Sequence, residues 1–251
     1  MASTSETGHH KNVGNFESEI SFCIGYGAAY NPSKVNLKIP ALQTQLASCK
    51  ANIVSVNNTN VAFNNATNAR MDAFYGLKKL STRLVNALDV SGATAQTIKD
   101  IKTVNAKVQG SKLTKADSGK QLKPIDPNAP VTETAKSISA SQLSFASLIE
   151  HFSKMIIILS TEPTFLPNEN DLKIITLNAQ LTTLKNTNTA VINAYTTVSN
   201  ARLSRDQSMY NSTNGLVQVA KEIKMYVKSV FGASSPQYRQ ISGLEFKVIK
   251  K

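Results

Sequence analysis

Two stretches of this chain, 135 residues apart, carry matching residues in the same order. Leu37-Lys38-Ile39, with Leu42, Gln45 and Leu46, answers to Leu172-Lys173-Ile174, with Leu177, Gln180 and Leu181. The same offset relates Pro32 to Pro167, Val56 to Val191, Arg70 to Arg205 and Tyr75 to Tyr210. After an insertion of five residues, Gly92-Ala93-Thr94 answers to Gly232-Ala233-Ser234. Apolar matches alone would arise between any two amphipathic helices. Matched Pro and Arg at one offset, with a matched Gly after the insertion, point instead to a tandem duplication.

Within each copy the apolar residues recur in alternating steps of four and three. In the first they are Leu42, Leu46, Cys49, Ile53, Val56 and Phe63, with Asn60 in frame. In the second they are Leu177, Leu181, Leu184, Val191, Tyr195 and Val198, with Asn188 in frame. A seam repeating every 3.5 residues marks helices packed at shallow angles, as in bundles and coiled coils. No Pro or Gly interrupts 41–75 or 168–214, so each copy has room for one long helix of some fifty residues, on the order of 75 Å. Capping side chains are available in 31–33 and 167–171, and Gly92 and Gly232 offer C-terminal stops. Shorter helices are expected over 16–29, 94–108 and 141–160.

The predicted fold is therefore all-α: an elongated helical bundle from a tandem duplication, with short helix, long helix and short helix in each copy. Residues 1–15 read as a disordered N-terminus, 16–109 as the first helical repeat and 139–251 as the second. Pro124, Pro127 and Pro130, with no aromatic residue nearby, make 110–138 a mobile linker.

Composition agrees and narrows the chemistry. With 11 Gly and 8 Pro in 251 residues, the chain has too little turn chemistry for an all-β fold. Cys23 and Cys49 form neither a CxxC pair nor a disulfide framework, and three His are too few and scattered for a zinc site. His9 and His10 fall in the polar N-terminal stretch, and His151 in an apolar helix reads as structural. No nucleophile elbow, phosphate loop, HExxH or dinucleotide fingerprint occurs, so no enzyme, cofactor, metal or small-molecule substrate is expected. Nor is there a signal peptide or a run approaching the roughly 20 apolar residues of a membrane span, which makes a cytoplasmic location the default expectation.

Three sets of residues stand out. Arg70 and Arg205 occupy equivalent seam positions, where a guanidinium needs a partner. Asp72, Asp206 or Glu150 would make it an ion pair, and their absence an anion site. Asn60 and Asn188 sit in the seam as register-setting residues. The net charge of +12 gathers in two clusters, one including Lys99, Lys102 and Lys107, the other Lys221, Lys224 and Lys228. Such clusters attract polyanions, but the run from Lys99 to Lys107 has no interleaved aromatic residue, and Lys outnumbers Arg 23 to 5.

Three stretches carry a resemblance: Asn31-Pro32 with Leu42 to Leu46, Ser141-Gln142-Leu143-Ser144-Phe145, and Phe231-Gly232-Ala233-Ser234-Ser235-Pro236-Gln237-Tyr238. In these the chain resembles a family of uncharacterised bacterial all-helical proteins. That resemblance implies a bacterial origin and a helical fold and brings no activity with it. The function expected from the residues is non-enzymatic: a structural or assembly protein whose partner is another protein, first of all itself. A basic, nucleic-acid-binding protein and a helical membrane-active protein are the alternatives.

Overall fold

A computed structural model describes residues 4–110 and 143–249, and among them the regular structure is helical with no strand. The elements in order are α1 (Thr4–Gly25), α2 (Ile39–Tyr75), α3 (Leu77–Asp89), α4 (Ala95–Gln109), α5 (Phe145–Thr161), α6 (Ile174–Tyr210), α7 (Leu216–Phe231) and α8 (Pro236–Ser242). Short 3-10 turns at Val35–Leu37 and Asn170–Leu172 lead into the two long helices. Apart from Gly110, the expected linker lies outside the described residues.

The helices form where a face can be buried. α3 buries Leu77, Leu80, Leu84 and Leu88, and α7 buries Leu216, Val219, Ile223 and Val227. Both runs follow the three-and-four spacing of a core-facing helix. Side-chain caps fix three starts: Thr94 accepts from the Thr97 amide, Ser144 from that of Ser147, and Ser235 from that of Tyr238. Pro236 follows Ser235 at the first turn of α8, where its missing N–H costs nothing.

The expected order of short, long and short helix is not what forms. The frame expected to run on from each long helix breaks at Gly76 and at 211–215 to give the separate helices α3 and α7, with α8 beyond. Two boundaries differ as well. Residues 4–15 are helical, because α1 turns His9, Asn12, Val13 and Phe16 onto one buried face. The two polar residues among these meet tertiary partners, Tyr210 and Lys247, which the local sequence does not reveal. The long helices are also shorter than expected, at 37 residues each, or about 55 Å. They start after the 3-10 turns and end at Gly76 and at the 211–215 turn. In that turn the Asn211 side chain accepts from the Thr213 and Asn214 amides. Gly215 completes it, since a Cβ there would lie 2.6 Å from the Asn211 carbonyl oxygen.

The chain divides into two compact units, and neither corresponds to one half of the sequence. Unit 1 takes in Met1–Asn65 and Asn193–Lys251, and unit 2 takes in Ala66–Ile192. In unit 1, α1 packs on α7 and α8, over a core that includes Phe16, Ile20, Cys23, Leu42, Ile53, Met209, Leu216 and Ile223. In unit 2, α5 packs on α4 and α3, around Leu84, Leu88, Ile101, Phe152, Met155, Leu177 and Leu184.

Two substitutions test this account. Leu84→Ala, at a fully buried position, is expected to cost about 2–5 kcal/mol in urea unfolding. Gly215→Ala is expected to destabilise although it adds only a methyl group, because the group meets backbone. Equal stability of the Gly215 variant and the wild type would show that the turn has room for a side chain.

Candidate functional site

The middle of α2 contains no buried residue from 57 to 73. The polar seam residues are engaged there instead. In unit 1, Arg202 on α6 donates through Nη2 to the Asn60 Oδ1 on α2 at 3.2 Å. Phe63 and Tyr195 meet close by, with ring centroids 6.0 Å apart. In unit 2, Arg70 on α2 donates through Nη1 to the Asn188 Oδ1 on α6, also at 3.2 Å. Its guanidinium lies 3.9 Å over the Phe145 ring, which in turn packs edge-on against Phe74 at 4.9 Å. Each seam asparagine thus accepts from an arginine of the other long helix.

Arg70 and Arg205 belong to different units, and each is held within its own. Arg205 is 2% exposed and donates from Nε and Nη2 to Asp206 Oδ1 at 2.9 and 2.7 Å. Asp206 is one of the three acids expected to serve. Asp72 is exposed, and Glu150 pairs with Lys154 at 2.6 Å. No carboxylate among the described residues pairs with Arg70, whose Nε is buried without a hydrogen-bond partner. An aromatic face and an amide take the place of the expected acid.

The basic clusters are partly spent on local contacts. Lys102 pairs with Asp89 at 3.2 Å, and Lys107 stands in the last turn of α4, where the helix dipole favours a cation. Lys99 and Lys221 are exposed. Lys224 donates to the Leu244 carbonyl and lies 5.2 Å over the Phe246 ring, while Lys228 lies 5.8 Å over that of Tyr238.

Sequence reading missed the most unusual group, Glu19. Its side chain is 0% exposed, inside the apolar core of unit 1, and neither carboxyl oxygen has a hydrogen-bond partner. Burial pushes its pKa from 4.5 to about 8, against the opposing pull of the Lys224 ammonium. The Cys23 thiol, one turn along, is pushed up to about 12 by burial and then by Glu19. Buried protonated thiols of this kind are poor nucleophiles. Glu19 falls in the frame with Phe16 and Cys23, and that was the signal available. His9 is likewise buried, with Nδ1 2.6 Å from the Tyr210 hydroxyl, and His151 is buried in α5 as expected of a structural histidine.

Unit 1 also carries an open groove of about 670 Å³ lined by Asn36, Thr44, Gln45, Ser48, Gln207 and Asn214, among others. Its hydroxyls and amides offer hydrogen bonds and no charge. Among the described residues, no group of three or more His, Cys, Asp or Glu is placed to hold a metal, and no helix is long and apolar enough to cross a membrane. Comparison of the chain with protein-family models, curated proteins and solved structures gives no match. The fold and these residues define the chain as an all-α protein, and what it does has to be inferred from its surfaces.

Glu19 makes stability depend on pH. The folded chain keeps this proton up to about pH 8, while the unfolded chain releases it near 4.5. The folded state therefore binds more protons across that interval, and stability falls as pH rises through it, by up to about 5 kcal/mol. Glu19→Gln is expected to raise the melting temperature at pH 8 and to flatten the slope between pH 5 and 8. An unchanged slope in that variant would show that Glu19 is solvated.

Proposed function

We propose that this chain is a non-enzymatic structural or assembly protein that associates with copies of itself through its long helices. The observation that carries the reading is the exposure of large apolar side chains on both helices within unit 1. Val54 and Val61 on α2, one heptad apart, and Tyr195 and Leu203 on α6 are each more than half exposed. Burying such groups against another chain contributes about 25 cal/mol per Å². Much of the rest of the long-helix surface is Asn, Thr and Ser, which hydrogen-bond at low desolvation cost, with Lys50, Asp72 and Lys185 as scattered exposed charges.

A tandem duplication is part of this proposal. Supporting it, both long helices have 37 residues, both follow 3-10 turns, and helices and turns alike are offset by 135. Gly92 and Gly232 both adopt positive φ, at 85° and 90°. A chain that already packs two related halves has surfaces suited to packing against another copy.

Light scattering coupled to size exclusion is expected to show mass rising with concentration for the wild type, and less so for Val54→Glu/Val61→Glu at equal helix content. A wild type that stays monomeric at every concentration overturns the reading. Binding to random-sequence DNA with a steep negative salt dependence would favour the basic-protein alternative instead.

A further inference from the structure

After α8 the chain runs through Gly243 into residues 244–249, which join no helix or strand. Leu244 and Phe246 turn inward and pack against the core of unit 1, whereas Glu245, Lys247 and Val248 are exposed. This is an extended segment lying on a surface, and α1 grips its main chain. Asn12 Nδ2 donates to the Lys247 carbonyl at 2.8 Å, and the Lys247 amide donates back to Asn12 Oδ1 at 3.0 Å. Asn15 Nδ2 donates to the Glu245 carbonyl at 2.7 Å.

Gly8, Asn12 and Asn15 stand at helical spacing along one face of α1. At Gly8 an added Cβ would press on the end of the Ile249 side chain, which would have to shift, so the segment passes close to α1 here. Lys224 on α7 closes the other side through the Leu244 carbonyl and the Phe246 ring. Four main-chain groups are therefore read by side chains, while two apolar positions fill the surface beneath. Extended peptides are recognised by the same combination of backbone hydrogen bonds for affinity and apolar sockets for selectivity.

We propose that this face of α1 and α7 is a peptide-docking groove and that its partner is residues 244–249 of a second copy, exchanged for the chain's own. Everything that holds the segment in place is present identically in a second molecule. Exchange of an identical element is a low-cost route to association. Within one chain the segment acts at a high effective concentration, so it shields the groove until it is displaced. The surface is distinct from the exposed apolar residues of the long helices, although the partner is the same.

The test uses two full-length variants. Leu244→Asp/Phe246→Asp spoils the segment and frees the groove. Gly8→Leu/Asn15→Ala spoils the groove, keeps the segment and leaves the Asn12 bond to Tyr210 in place. Mixed, they are expected to form a one-to-one complex in native mass spectrometry that neither forms alone, and adding Asn12→Ala to the first variant is expected to abolish it. Should the double Asp variant lose helix by circular dichroism, Phe246→Ala replaces it. A labelled peptide of residues 242–249 is then expected to bind that variant at least tenfold more tightly than the wild type. A mixture with no new species, or peptide binding indifferent to Asn12, overturns the proposal. Wild-type association lost in Val54→Glu/Val61→Glu but kept in the segment and groove variants belongs to the long helices. It leaves the groove to be decided by the mixture alone.

Discussion

A helix that buries nothing apolar for seventeen residues has to be held by something other than a core, and α2 is held there by arginine–asparagine pairs. Asn60 with Arg202 and Asn188 with Arg70 are bonds between a charged donor and a neutral acceptor, each contributing about 1.5–3 kcal/mol. An apolar seam of Leu and Val would contribute more but would tolerate a slip of one heptad. A guanidinium that must meet one amide oxygen does not. Within each unit the contact ties one stretch of α2 to one stretch of α6, and the apolar ends of the long helices lie in separate cores, Leu42 and Met209 in that of unit 1 and Leu177 and Phe74 in that of unit 2.

Unit 1 answers its buried ionisable groups in two ways. Unit 1 encloses Arg205 beside Asp206, so one charge is answered by another. It also encloses Glu19, which is answered by taking up a proton. A carboxyl group in an apolar core avoids the cost of a bare charge by staying neutral, and that neutrality holds only while the pH lies below its raised pKa. Lys224 is near enough to feel Glu19 yet spends its hydrogen bonds on the 242–249 segment. The electrostatics of the core and the docking of that segment therefore meet at one ammonium group.

The high net charge becomes less conspicuous once its partners are known. Lys34 pairs with Glu222, Lys50 with Glu17, Arg83 with Asp171 and Lys102 with Asp89, mostly at exposed sites worth little individually. Such pairs distribute the positive charge among acids and ring faces, and an excess over acids remains because Lys is simply more abundant.

The all-α class and the courses of the two long helices were legible in the amino-acid order, because amphipathic spacing, caps and breakers act over a few residues, whereas α3, α7 and α8 were not set apart from them. The polar face of α1 was not legible, since Tyr210 and Lys247, which His9 and Asn12 meet, lie some two hundred residues away. Sequence marked Arg70 and Arg205 as needing partners. It left open that one would take an aromatic ring and an amide, the other its neighbouring Asp206. Most of all, repeat matching groups residues by likeness, whereas each compact unit joins elements from both halves of the chain. Periodicity records which face of a helix is apolar, but which other helix covers that face is decided by long-range packing, and a local pattern carries no information about it.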